Sequence, residues 1–154
     1  MTENINYQFQ ELCKKGDLQK IKQIYFKNPT TINIFANSYY AFLISCMYGH
    51  LEVAKWLLEV KPDINIFAYN KYAFRWSCYY GHLKVAKWLL KVKPNINISV
   101  EHECSFLDAC DFEYLKVAKL LLQHKTQNYY MFAKKNEIYN TKNYNKKQQI
   151  AKQI

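Results

Sequence analysis

Residues 48–65 read YGHLEVAKWLLEVKPDIN, and residues 80–97 read YGHLKVAKWLLKVKPNIN. Only three of the eighteen positions differ, at an offset of 32. Self-similarity at a period of roughly 20–50 residues marks a stacked array, in which each unit buries its apolar face against its neighbours. This pair decides the architecture, and the rest of the chain is read from its register.

The punctuation follows the same period. The three glycines are Gly16, Gly49 and Gly81, and the three prolines are Pro29, Pro62 and Pro94, each thirteen residues after its glycine. Four of the five cysteines, Cys13, Cys46, Cys78 and Cys110, stand three residues before the glycine position of each unit. Packed helices sit about 8–10 Å apart, beyond the roughly 7 Å Cα separation that a disulfide tolerates. A zinc site needs clustered cysteines, and this spacing lacks them. Cysteines in one register are therefore expected to be small buried groups where helices approach closely.

Aligned on the glycines, the chain gives four units, about 5–36, 37–68, 69–100 and 101–125. Each opens on an aromatic-rich segment: Tyr7 and Phe9, Tyr40 and Phe42, Tyr72 and Phe74, then Cys104 and Phe106. A glycine after a helical run suits the left-handed conformation that stops a helix. After it, Leu51, Ala54, Leu57 and Leu58 recur at helical spacing, and Pro62 ends that second helix because proline cannot continue the hydrogen-bond ladder. Residues 33–39, 65–71 and 97–103 are expected to be exposed connections. The predicted unit is helix, tight turn, antiparallel helix, extended finger. The fold class is all-α: a solenoid of about four helix-turn-helix repeats over 1–125, a capping segment at 126–138 and a basic tail at 139–154.

These residues resemble the ankyrin repeat. GHLEVAKWLLEVKPDIN at 49–65 and GHLKVAKWLLKVKPNIN at 81–97 match the second half of its pattern, G-H-L-x-V-V-x-L-L-L-x-x-G-A-D-V-N. The first half departs from T-P-L-H-x-A-A: it reads YAFLISC at 40–46, YAFRWSC at 72–78 and CSFLDAC at 104–110. The wording also resembles ankyrin-repeat proteins of giant DNA viruses. The resemblance covers residues 5–124. It implies turn histidines at His50 and His82, and a partner docked on the concave face built by finger tips and first helices. Positions on that face are Phe35, Asn37, Met47, Tyr48, Phe67, Tyr69, Asn70, Arg75, Tyr79, Tyr80, Asp111 and Phe112. Tyrosine suits such a face because it buries a large rigid area with few rotatable bonds.

The ends of the array differ from its middle. Val53 and Trp56, or Val85 and Trp88, lie three apart on one helix face, where the first unit has Lys20 and Gln23. A solenoid needs a terminal repeat with a polar outer face, and unit one is expected to be that cap. Unit four keeps Val117 and Leu120 there, so the segment 128–138, with Tyr129, Tyr130, Met131 and Phe132, is expected to cover it. The net charge of +10 divides evenly: residues 126–154 hold six lysines and one glutamate.

The sequence excludes several function classes. No apolar run approaches the roughly 18–20 residues that cross a bilayer, and the N-terminus lacks the basic and apolar regions of a signal peptide. We expect an intracellular, unsecreted protein, in the host cytoplasm if viral. No metalloprotease, serine-hydrolase or phosphate-loop motif is present, and every glycine belongs to a turn. We expect no catalysis, cofactor or metal. The expected function is a monomeric interaction module for a protein partner. Its structural residues are Gly16, Gly49, Gly81, the four registered cysteines, His50, His82, Trp56 and Trp88. The alternatives are an adaptor that recruits a host protein to another complex, and association with nucleic acid or another polyanion through the basic tail.

Overall fold

The computed structural model describes residues 4–32, 36–61, 66–92, 109, 112 and 114–124, with the backbone alone at 36–39, 66–71 and 122–124. All regular structure among them is helical. The helices are α1 (Ile5–Lys15), α2 (Leu18–Lys27), α3 (Ala36–Met47), α4 (Leu51–Val60), α5 (Ile66–Tyr79), α6 (Leu83–Val92) and α7 (Leu115–His124). The chain divides into two compact units, Met1–Ile96 and Asn97–Ile154. The first holds three helical hairpins, α1/α2, α3/α4 and α5/α6. Their first helices stack in order, α1 on α3 and α3 on α5, and each packs against its own second helix.

Local chemistry sets the hairpins. Gly16, Gly49 and Gly81 adopt φ of 76°, 80° and 74°, a left-handed conformation that glycine enters without a Cβ penalty. The next amide then reaches five residues back: Asp17 N to Leu12 O at 3.3 Å, His50 N to Ser45 O at 2.8 Å, His82 N to Ser77 O at 2.7 Å. This closure satisfies a carbonyl that the helix end leaves open. In the second unit Tyr114 N makes the equivalent bond to Ala109 O at 2.7 Å, although Glu113 holds the glycine's place in the sequence. Side-chain caps start the first hairpin: Asn4 accepts from Asn6 N at 2.9 Å and Asp17 from Lys20 N at 3.1 Å.

The core repeats with the same period. Phe9, Phe42 and Phe74 are fully buried, one per first helix, and so are Cys13, Cys46 and Cys78. Val53, Ala54 and Leu57 of α4 meet their counterparts Val85, Ala86 and Leu89 of α6 in being buried. In the second unit Val117, Ala118 and Leu121 are buried. Each buried phenylalanine contributes about 2 kcal/mol of transfer free energy. Ser45 and Ser77 are buried without cost because each hydroxyl donates to a carbonyl of its own helix, Ala41 O and Phe74 O, both at 2.7 Å.

Trp56 is buried against the preceding hairpin. Its ring meets Tyr25 edge-on at 5.4 Å and Phe26 at 6.5 Å. Trp88 reaches Phe42 of the preceding hairpin at 6.3 Å and is half-buried. At the register of Val53 and Trp56, α2 leaves Lys20 and Gln23 exposed.

One expectation is corrected. Residues 36–39 and 66–71 are helical rather than extended connections, because α3 starts at Ala36 and α5 at Ile66. The physical reason is the absence of a breaker. ANSYYAF and IFAYNKYAF contain neither glycine nor proline, so once the second helix has ended nothing stops the next helix from starting early. Residues 97–103, the 126–138 capping segment and the 139–154 tail lie outside the described residues.

Candidate functional site

The first helices present tyrosines in rows. Tyr7, Tyr40 and Tyr72 share one register, and all three are exposed. Tyr48 and Tyr80 share a second register eight residues on, and both are exposed. Helical residues four apart are neighbours on one face, so Tyr72, Trp76 and Tyr80 line one side of α5 and its end.

Trp76 is the residue that sequence reasoning missed. Its counterpart one unit earlier is Ile44, which is 4% exposed, whereas Trp76 is 37% exposed. Its indole stacks on Tyr80 at 6.0 Å with 23° between planes, and meets Tyr79 edge-on at 5.6 Å. Tyr79 and Tyr80 touch at 5.0 Å, and Tyr80 stacks on the His82 ring at 6.4 Å. Four rings thus brace one another at the surface. Such bracing restricts their rotamers before any partner arrives, which lowers the entropy cost of binding. The available signal was the i, i+4, i+8 spacing of aromatics in YAFRWSCYY.

The rest of the expected face is distributed as follows. Tyr48 lies beneath the Lys14 ammonium of the preceding hairpin, 5.6 Å from its ring centre, a cation–π contact that helps fix the ring. Met47, Arg75 and Tyr79 are half-buried. Asn37, Phe67, Tyr69 and Asn70 stand on helical backbone rather than on finger tips. Phe112, in the second unit, is exposed and stacks on Tyr114 at 5.9 Å. Phe35 and Asp111 lie outside the described residues. The three first helices of the first unit carry Lys14, Lys15, Lys71 and Arg75 in their sequences against the single carboxylate of Glu11.

The residues read as structural join the repeats. The His50 ring donates through Nε2 to the Lys14 carbonyl at 2.8 Å. His82 makes the corresponding bond to the Met47 backbone. Each ring also lies against the glycine of the preceding hairpin: a Cβ on Gly49 would come 2.5 Å from the His82 ring, and one on Gly16 would collide with the ring of His50. Glycine is therefore required at both positions for close approach as well as for φ. Burial pushes the His82 pKa below its ordinary value. Repulsion from His50 adds to that, and the Met47 bond opposes it.

The buried thiols are chemically quiet. Burial pushes the Cys13 thiol up to about 12 against the opposing hydrogen bond with Ser45, and raises Cys46 further. A thiol held protonated is neither nucleophile nor metal ligand. Cys78 is buried too, and Cys110 lies outside the described residues. Among the described residues no group of three or more His, Cys, Asp or Glu could hold a metal ion, and no helix is long and apolar enough to cross a membrane. The lysine row on the second helices is exposed at Lys22, Lys87 and Lys119, while Lys55 pairs with Glu52 at 2.8 Å.

A family model described as ankyrin repeats, in three copies, matches residues 9–102. No curated protein and no solved structure matches the chain.

Proposed function

The chain belongs to the ankyrin-repeat family, whose repeats are generally protein–protein interaction modules, and from that premise we propose that it binds a protein partner on the exposed aromatic face of its first helices, without catalysis. The observation that carries the reading is the braced cluster of Trp76, Tyr79 and Tyr80. An inert surface does not need a tryptophan where the sister unit buries an isoleucine. Exposed, rigid aromatics are what interface hot spots are made of.

The test uses the full chain as bait in a eukaryotic lysate, beside a Trp76→Ser/Tyr80→Ser variant. Both substituted side chains are exposed, so the melting temperature should stay within a few degrees of the parent. Loss of one captured protein at unchanged melting temperature supports the face. Identical capture by parent and variant counts against it.

A further inference from the structure

The two copies that define the repeat differ at three positions, and all three differences remove an acid. Where 48–65 has Glu52, Glu59 and Asp63, 80–97 has Lys84, Lys91 and Asn95. The first stretch holds two lysines and three acids, a net charge of −1; the second holds four lysines and no acid, +4. The apolar positions are unchanged, and α6 buries Val85, Ala86 and Leu89 as α4 buries Val53, Ala54 and Leu57. At the two helix positions Glu52 and Glu59 of α4 and Lys84 and Lys91 of α6 are all exposed, so the change there falls on the exposed face.

That face is organised. Lys84, Lys87 and Lys91 are all exposed and stand at i, i+3 and i+7, one side of α6 spanning about 10 Å. At the same register α4 pairs Lys55 with Glu52 at 2.8 Å. No ion pair involves the three lysines among the described residues. Like charges three and four positions apart destabilise a helix, so this face costs stability that α4 keeps. In the second unit α7 exposes Lys116 and Lys119 at the registers of Lys84 and Lys87.

We propose that the lysine face of α6 binds the phosphate backbone of a nucleic acid. The inference is independent of the aromatic face. A protein partner would need an apolar or aromatic anchor, and Val92 at the end of the helix is the one exposed large apolar side chain that α6 offers among its described residues. A phosphate backbone needs no such anchor, because the gain comes from released counterions. Lysine serves this contact as a point charge and requires no bidentate geometry. The net charge of +10 supplies the long-range attraction.

The experiment measures binding of a fluorescein-labelled DNA duplex of random sequence to the full chain between about 50 and 200 mM salt. The Lys84→Glu/Lys91→Glu variant gives α6 the sequence that α4 already has, so its melting temperature should equal or exceed the parent's. It should lower the slope of log affinity against log salt by about 2 and weaken binding at low salt roughly tenfold. The converse variant, Glu52→Lys/Glu59→Lys, should steepen the slope by a similar amount. Four results overturn the proposal: no duplex binding at low salt, a Lys84→Glu/Lys91→Glu variant that binds as the parent does, binding confined to phosphatidylserine vesicles, or binding confined to a poly-glutamate peptide.

Discussion

The His50 ring donates to the Lys14 carbonyl at 2.8 Å across the boundary between two hairpins. The bond satisfies an acceptor near the end of α1, where helix carbonyls lack internal partners, and it brings the imidazole against Gly16. His82 repeats the arrangement with Met47 and Gly49. Asp17 takes the same register in the first hairpin and turns its carboxylate to the amide of Lys20 instead. The glycine and the histidine thirty-odd residues later therefore form one joint.

Gly49→Ala tests the joint. A left-handed φ costs an L-residue roughly 1–2 kcal/mol, and the new methyl would also displace the His82 ring, which is bonded to the Met47 backbone. The loss of stability should exceed the backbone cost alone. Adding His82→Ala should recover part of it, so a double-mutant cycle by urea denaturation should show a coupling of about 0.5–3 kcal/mol. Strict additivity would mean that ring and glycine do not constrain each other.

Acid should weaken the same joint. The His82 pKa lies below 6.5 in the folded chain, chiefly through burial. Above 6.5 the ring is neutral in both states. As pH falls below 6.5 the unfolded chain takes up the proton first, so stability drops until the folded value is passed. The melting temperature should decline over that window, and His82→Gln should flatten the decline. A decline unchanged in the variant would assign it to other groups.

Much of this was legible in the sequence. The period placed Gly16, Gly49 and Gly81 at turns and Cys13, Cys46 and Cys78 in the core, because φ and packing volume are decided locally and repeat with the unit. Two features were not legible. The helices run back to Ala36 and Ile66, since a helix start without a breaker leaves no mark, whereas Pro62 marks the end of its predecessor. Trp76 reaches the surface while Ile44 of the same register is buried, and a register predicts equivalent environments only for side chains of similar size. The second unit shows the reverse: its sequence lacks the glycine, yet Tyr114 N still closes on Ala109 O.

Trp56→Ala should be among the most costly substitutions in the chain. The ring is 6% exposed and packs edge-on against Tyr25 of the preceding hairpin. Truncating a buried large aromatic costs about 3–5 kcal/mol, part of it the aromatic pair itself at about 0.5–1.5 kcal/mol. Trp88, half-buried in the corresponding place, should cost less. Equal losses in urea denaturation would mean that the contact with Tyr25 and Phe26 adds nothing.

The buried thiols should weaken the fold at alkaline pH. The Cys13 thiol is pushed up to about 12 by burial, from an ordinary value of 9.0. As pH rises above 9.0 the unfolded chain releases this proton and the folded chain keeps it. Unfolding is then favoured increasingly until pH reaches about 12. Cys46 acts in the same direction. In a Cys104→Ser/Cys110→Ser background the remaining thiols should resist iodoacetamide while the chain is folded and react at once in urea. Adding Cys13→Ala should shift the alkaline unfolding midpoint upward, even though the truncation lowers stability near neutral pH. A midpoint that moves down in parallel with neutral stability would show that the thiol's proton plays no part in it.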